Sequence, residues 1–135
     1  MPTLIDTTPW IDFTRSRSPK ALKQFIAPNI LHPDAHLAEP VAFEILRHAT
    51  PIESAQLTRQ FQTLPMLPTP ADLWTRAAHL GQACRRAGIT AGSLDLLIAA
   101  LALHHAAEII TFDADFQTIA RVSPLRVKHL LRPTP

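Results

Sequence analysis

Residues 91–116, AGSLDLLIAALALHHAAEIITFDADF, carry the strongest fold signal in this chain. Their middle part, LDLLIAALALHHAA, is apolar nearly all round, which is typical of a helix covered on two sides by other elements. The segment EIITF that follows is short and rich in β-branched and aromatic residues, which indicates a buried strand. Because parallel neighbouring strands need crossover connections, a buried helix leading into a buried strand predicts an α/β fold with a mostly parallel sheet.

The same alternation extends outward along the chain. The short apolar segments PTLID, LPML and LRVK predict further strands between helical patterns. Helix N-caps are predicted where a hydroxyl residue precedes proline, at Thr8-Pro9, Ser18-Pro19, Thr50-Pro51 and Thr69-Pro70. Glu53 lies at capping-box spacing from Thr50, and PADLWTRAAHLGQACRRAG predicts a helix that stops at Gly88. No repeat or internal linker interrupts the pattern, so we predict one domain over residues 1–135.

Composition indicates a globular protein with a core, since 47% of the 135 residues are hydrophobic and 18% are charged. The run LLIAALAL is shorter than the roughly 18 to 20 residues of a membrane span, and MPTLIDTTPW lacks a basic segment before an apolar one. We therefore expect no membrane partner. The lone Cys84 fits a reducing compartment, which favours the cytoplasm. A net charge of +2 permits a nucleic-acid partner without requiring one.

Four acids are placed where a site is expected in an open parallel sheet, beyond the carboxyl ends of the strands. Asp6 ends PTLID and Asp113 ends EIITF, while Asp95 opens the helix before EIITF. Glu44 lies among apolar residues in VAFEILRH, which predicts a helix. If the first strand neighbours EIITF, these acids meet at one edge of the sheet, and Asp6 and Asp113 come close enough to share a cation.

Each acid has an ordinary structural explanation when it is taken alone. Asp95 in the first turn complements a helix dipole, and Glu44 has Arg47 and His48 one turn away as partners for an exposed helix face. Either Asp113 or Asp115 can cap a helix that begins near Phe116. The strand-end position favours Asp113 as the closer metal ligand, with Asp115 binding through water or capping that helix.

Together the acids indicate a metal site, because crowded carboxylates raise each other's pKa values unless a cation compensates. Hard oxygen ligands suit Mg²⁺ or Mn²⁺. Zinc is disfavoured, since the pair His32 and His36 has no third ligand in a suitable position.

With these residues identified, the chain resembles the PIN-domain ribonucleases, and specifically the VapC-type toxins of bacterial toxin–antitoxin pairs. The resemblance rests on LIDTTPWIDF, FEILRHA, GSLDLLIAALAL and IITFDADFQTIA, in the family's order and near its usual separations. It implies catalytic acids at Asp6, Glu44, Asp95 and Asp113, metal ligands at Asp6, Asp95, Asp113 and Asp115, and a supporting hydroxyl at Thr111. His48 departs from the family pattern, in which many members have glycine at this point.

The resemblance also implies a three-layer α/β/α sandwich around a parallel sheet of about five strands. It implies a homodimer that uses Mg²⁺ or Mn²⁺ to cleave RNA with metal-activated water, leaving a 5′-phosphate and a 3′-hydroxyl. The implied partner is a cognate antitoxin protein whose tail covers the acidic groove. Two sets of basic residues are candidates for RNA binding: Arg15, Arg17, Lys20 and Lys23, or Arg121, Arg126, Lys128 and Arg132. Either set is equally explained as a solvated surface.

Two other functions stay open from the sequence. One is a non-catalytic PIN-like interaction module, against which the presence of all four acids argues. The other makes Asp6 a covalent nucleophile, as in aspartate-based phosphatases or receiver domains. The local sequence disfavours this, because those phosphatases have a second aspartate where this chain has Thr8. Receiver domains have a lysine followed by proline late in the chain, whereas here Lys128 is followed by His129.

Overall fold

A computed structural model describes residues 1–134 of the protein. Its sheet has four parallel strands in the order β2-β1-β3-β4, namely β1 (Thr3–Ile5), β2 (Ala35–His36), β3 (Glu108–Thr111) and β4 (Arg126–His129). The flanking helices are α1 (Thr7–Thr14), α2 (Lys20–Ile30), α3 (Glu39–Leu46), α4 (Pro51–Phe61), α5 (Leu73–Arg86), α6 (Ser93–His104) and α7 (Asp115–Ile119). A 3₁₀ turn, Ala120–Val122, follows α7. The predicted α/β sandwich with a parallel sheet is confirmed.

The sheet is smaller than the predicted five strands, because residues 1–134 form only four. LPML does not become a strand and contributes one isolated parallel bridge between Leu37 and Met66. Proline lacks the N–H that a ladder requires, and Pro65 and Pro68 flank this bridge, so it cannot extend. The strand β2 was not predicted, because its two residues are too few to form a periodic pattern.

The register of the strands brings their carboxyl ends to one edge of the sheet. Ile5 pairs with Ile110, and Thr111 pairs with His129. The backbone N–H of Asp6 donates to the carbonyl of Ile110 at 2.9 Å, which extends the pairing of β1 by one residue. Consequently Asp6 and the residues that follow Thr111 emerge at the same edge.

The helix α6 lies in the core, as its apolar sequence predicts. Residues 98–102, which include Ile98 and Leu101, are all buried. The helix α5 packs on α6 through its predicted apolar face, where Leu73, Ala77, Leu80 and Cys84 are buried. A Cβ atom at Gly81 of α5 would lie 3.1 Å from Leu96 Cδ1, so the absence of a side chain permits this close approach. None of the helices within residues 1–134 is long and apolar enough to span a membrane.

The predicted helix ends are partly correct. The capping box of α4 is confirmed, since the Thr50 hydroxyl accepts from the Glu53 N–H at 3.2 Å and Glu53 accepts from the Thr50 N–H at 3.0 Å. The predicted stop at Gly88 is also correct, because α5 ends at Arg86 and Gly88 has the left-handed φ of 72° that glycine adopts readily.

The other three predicted N-caps are wrong, and at Thr8 and Thr69 the hydroxyl makes a long-range contact instead. Thr8 accepts a hydrogen bond from the Phe112 N–H at 3.3 Å, and α1 begins one residue earlier, at Thr7. The Thr69 hydroxyl donates to Glu39 Oε1 at 2.7 Å, and α5 begins only at Leu73. At the start of α2 the cap position belongs to Pro19 and not to Ser18.

Candidate active site

Three carboxylates meet at the carboxyl edge of the sheet. Asp95 lies in the first turn of α6, Asp113 lies two residues after β3, and Asp115 is the first residue of α7. Each offers an oxygen, and these three oxygens all lie within 4.8 Å of one another. We call these residues the acid cluster. Local sequence explains the arrangement. The helix α6 leads directly into β3, so the first turn of α6 and the end of β3 lie at the same edge of the sheet.

The acid cluster fits a divalent cation. Its donors are carboxylate oxygens, which are hard ligands that suit Mg²⁺, Mn²⁺ or Ca²⁺ better than soft metals. Within residues 1–134, no lysine or arginine forms an ion pair with any of the three carboxylates. The side chain of Asp115 is exposed, so a bound ion would keep access to water and substrate.

Electrostatics at Asp95 support the same conclusion. The pKa of Asp95 is raised to about 7, first by burial and then by the neighbouring charges of Asp113, Asp6, Asp115 and Glu44, in decreasing order. A carboxyl group with this pKa holds a proton in part of the molecules at neutral pH. A divalent cation would compensate the same negative charges and displace that proton.

Asp6 does not belong to the acid cluster. Its side chain is only 3% exposed, and its Oδ2 accepts a hydrogen bond from the Thr111 hydroxyl at 2.7 Å. Burial raises the pKa of Asp6 to about 6, against the lowering effect of the hydrogen bonds from Thr111 and the Thr7 backbone. The charges of Glu44 and Asp113 also raise this pKa, so both acids are close enough to act on Asp6. The sharing of one cation by Asp6 and Asp113 stays a prediction.

The hydroxyl of Thr111 links Asp6 to Asp113. While it donates to Asp6, the same oxygen accepts the backbone N–H of Asp113 at 2.9 Å. Thr111 is fully buried, so this link is shielded from water. A hydroxyl is well suited to this position because it can donate and accept at the same time. Its expected supporting role stays a prediction, for which this geometry supplies a mechanism.

The turn between Asp113 and Asp115 departs from the expectation in two ways. The strand β3 ends at Thr111, one residue before Phe112, and α7 begins at Asp115. Asp115 makes no capping hydrogen bond, so the alternative in which it caps this helix is wrong. Instead Asp113 Oδ1 accepts the N–H of Asp115 at 2.9 Å, which fixes the orientation of the Asp113 carboxylate.

Glu44 is half-buried on α3 and lies outside the acid cluster. It forms no ion pair with Arg47 or His48 in the part of the chain that the structure describes, so a salt-bridged helix face does not explain it. Its charge raises the pKa values of both Asp6 and Asp95. Glu44 is therefore near both acids, although it comes from a different helix.

The basic residues of the first candidate set lie around the connection between α1 and α2. Arg15, Arg17 and Lys20 are exposed, and Lys23 is half-buried. Their binding to RNA stays a prediction. In the second set, Arg132 pairs with Asp12, and its guanidinium carbon lies 4.4 Å from the ring centroid of Phe112, next to Asp113 in the chain. No local pattern in the sequence could have revealed this contact.

The position of Asp6 also bears on the phosphatase and receiver alternatives. An aspartate nucleophile must present a carboxylate oxygen to its substrate. Asp6 is buried and one of its oxygens is engaged by Thr111, which leaves it poorly placed for attack. The acid cluster has two half-buried carboxylates and one exposed carboxylate, and this arrangement suits metal binding.

Known proteins share both the sequence and the fold. Residues 3–122 match the family model described as PIN domain. Ribonuclease VapC11 from Mycobacterium tuberculosis is 38% identical over 129 residues, which cover 91% of this chain and 95% of the relative. Among solved structures, VapBC2 from Rickettsia felis, bound to a DNA fragment from its promoter, aligns with a TM-score of 0.76 at 16% identity, covering 96% of this chain and 99% of that one.

A second solved structure extends the comparison. VapBC-5 from Mycobacterium tuberculosis, a member of the VapBC family of toxin–antitoxin systems, aligns with a TM-score of 0.63 at 22% identity and covers 96% of this chain and 98% of that one. At 16% and 22% sequence identity, the two solved structures support the fold alone. Family membership rests on two other matches. The family model covers most of the chain, and the VapC11 relative is 38% identical over 95% of its length. The chain belongs to the PIN-domain family, among the VapC ribonucleases.

Proposed function

We propose that this protein is the toxin of a two-protein toxin–antitoxin system and an endoribonuclease that hydrolyses RNA with metal-activated water. The observation that carries the proposal is the convergence of three carboxylates at the sheet edge of a chain that belongs to the VapC ribonucleases. A non-catalytic interaction module would not need carboxylates held in mutual repulsion, as the raised pKa of Asp95 indicates. The proposed setting is the cytoplasm, and residues 1–135 form one catalytic PIN domain.

The acidic residues and Thr111 have different proposed roles, which depend on their positions in the site. Asp95, Asp113 and Asp115 would hold a Mg²⁺ or Mn²⁺ ion through their oxygens. Such an ion supplies a Lewis acid that lowers the pKa of water and offsets charge on a phosphodiester. Thr111 accepts a hydrogen bond from the backbone N–H of Asp113 and holds the Asp6 carboxylate by donating to it. Asp6 and Glu44 complete the proposed catalytic set, since their negative charges strengthen the field that attracts a divalent cation.

Growth and cleavage assays test this function. Expression without the antitoxin is expected to arrest growth, and Asp6→Asn is expected to be harmless because the substitution removes a charge from the metal field. Co-expression with the cognate antitoxin should restore growth. Purified protein should cut RNA in Mn²⁺ and not in EDTA, leaving 5′-phosphate and 3′-hydroxyl ends. If Asp6→Asn arrests growth as strongly as the wild type, the toxicity does not come from metal-dependent cleavage.

We also propose that the protein forms a homodimer through an apolar face on α3, α5 and α6. Phe43 is 59% exposed and Trp74 is 73% exposed, and together with Leu94 and Leu97 they line a cleft of about 420 Å³. Large exposed apolar groups in one patch are typical of protein interfaces. The homodimer that the family resemblance implies supports a second copy as the occupant.

Trp74→Glu is expected to convert the dimer into a monomer, because a charge in an apolar interface loses its hydration without gaining a partner. Sedimentation velocity at micromolar protein concentration would measure the change. Ile52→Glu is the matched control, since Ile52 is 74% exposed on α4 and does not line the cleft. A dimer that survives Trp74→Glu unchanged would place the interface elsewhere.

A further inference from the structure

An exposed aromatic ring, packed on a buried one, and two basic side chains adjoin the acid cluster. This surface consists of Phe25 on α2, Phe112 after β3, Lys128 on β4 and Arg132 after β4, and we call it the platform. The register explains its position. Arg126 pairs with Glu108 at the start of β3, and His129 pairs with Thr111 at its end. The chain beyond His129 therefore continues past the same sheet edge at which Asp113 emerges.

Arg132 is fixed in place while much of it stays open to solvent. Its Nη2 lies 2.8 Å from Asp12 Oδ2, its Nε donates to the same oxygen at 2.9 Å, and its guanidinium carbon lies 4.4 Å from the centre of the Phe112 ring. The side chain remains 52% exposed. No acceptor within residues 1–134 takes a hydrogen bond from its Nη1. A planar guanidinium held in this way keeps donors ready for a phosphate at a small entropic cost.

The aromatic part of the platform presents a ring to solvent. Phe25 packs against Phe112 with ring centroids 6.4 Å apart and an angle of 28° between the planes, and it is 39% exposed. Unpaired bases stack on such exposed rings in single-stranded RNA complexes. Lys128 adds a second positive charge on this side, since its Nζ donates to Asn29 Oδ1 at 3.1 Å and Asn29 lies one helical turn after Phe25.

We propose that the platform binds the single-stranded RNA segment next to the scissile phosphate. Arg132 and Lys128 contact its phosphates, and an unpaired base stacks on Phe25. The acid cluster repels a polyanion, so positive groups beside it are needed to hold the strand near the reacting centre. This inference rests on the proposed ribonuclease function and adds which residues position the substrate.

Binding measurements without metal test the platform separately from catalysis. A fluorescent single-stranded RNA of mixed sequence is titrated with protein in EDTA, and its anisotropy is followed. Arg132→Ala and Phe25→Ala are each expected to weaken binding by about 5- to 10-fold, as loss of a phosphate contact or of a stacked base does. Arg132→Ala should also reduce the slope of log K against log salt by about 0.7. For duplex RNA of the same sequence, Phe25→Ala should have no effect, because paired bases are not free to stack.

Arg59→Ala is the matched control. Arg59 is exposed in the last turn of α4, which contributes no residue to the platform or to the acid cluster, so this variant removes one positive charge and should bind RNA like the wild type. Thermal melts verify folding. Arg132→Gln serves as a second variant, since it keeps a donor for Asp12 and loses the charge. In Mn²⁺, both Arg132 variants should raise KM while kcat stays within about twofold of the wild type, because uniform binding is lost.

Equal RNA affinities for wild type, Arg132→Ala and Phe25→Ala would overturn the inference and leave the platform to a protein partner. An equal loss caused by Arg59→Ala would show a general charge effect and would also overturn it. A different result would contradict the proposed ribonuclease function, namely that the wild type does not cleave RNA in Mn²⁺. Binding in EDTA still tests the platform in that case.

Discussion

Asp113→Asn is expected to reduce Mn²⁺-dependent RNA cleavage by at least about 100-fold, because Lewis-acid stabilisation is worth several kcal/mol and each 1.4 kcal/mol is a factor of ten. Asp115→Asn should keep partial activity. The difference follows from how the two side chains are held. Asp113 is oriented by two hydrogen bonds, from its own N–H to Thr111 and from the Asp115 N–H to its Oδ1. Asp115 is exposed, and its carboxylate has no comparable support.

The loss of activity should not come from loss of folding. An asparagine at position 113 keeps an oxygen that can accept the Asp115 N–H, so the turn into α7 is preserved. Removing one charge also relieves repulsion at Asp95, whose pKa is raised in part by Asp113. Stability in metal-free buffer should therefore be unchanged or higher, and the pKa of Asp95 should fall. Steady-state cleavage rates, urea unfolding and NMR titration measure these quantities.

Glu108→Gln is the control for this experiment. Glu108 begins the same strand β3 at the opposite edge, so the substitution removes one charge far from the acid cluster. It should leave cleavage unaffected. If Asp115→Asn abolishes cleavage while Asp113→Asn cleaves normally, the metal site must be centred on the start of α7.

The second large effect is a loss of stability with rising pH in the absence of metal. The pKa is about 6 for Asp6 and about 7 for Asp95 in the folded protein, against an ordinary value of 3.8. The folded state therefore binds protons more tightly than the unfolded state, and protonation stabilises the fold. This contribution is complete below about pH 4 and is lost as the pH rises through 6 to 7. Asp6 alone should contribute about 3 kcal/mol, at 1.36 kcal/mol per pKa unit.

The raised pKa of Asp95 also lowers the stability as the pH rises. Its effect is reduced because water screens this more exposed carboxylate. Urea unfolding in EDTA at pH 4.5, 6 and 7.5 would measure the trend. Asp6→Asn is the control, because it removes the contribution of Asp6 and should flatten the curve relative to the wild type. Parallel curves for the two proteins would contradict the raised pKa of Asp6.

Saturating Mn²⁺ should oppose this loss of stability. A ligand that binds only the folded state stabilises it in proportion to the logarithm of its concentration over Kd. Protons compete for the same carboxylates, so the gain should be larger at pH 7.5 than at pH 5. A gain of equal size at both pH values would place the ion away from Asp95.

Several features of this protein are determined by sequence that is local in the chain. The apolar α6, the strand β3 and the acids at their ends are encoded within residues 91–116, because hydrophobic periodicity and burial act over a few residues. The capping box of Thr50 and Glu53 and the stop at Gly88 are likewise short-range. These signals suffice for an α/β fold with acids at one sheet edge.

The tertiary structure alone decided how those acids are arranged. Asp6 is buried and does not belong to the acid cluster, and it is linked to Asp113 through Thr111, which lies 105 residues further along the chain. Thr8 supports Phe112 across 104 residues instead of capping a helix, and Arg132 reaches Asp12 across 120 residues. The strand β2 and the bridge at Leu37 also arise only from pairing. Such contacts depend on strand order and register, and these are set when the whole core packs, so no short segment contains them.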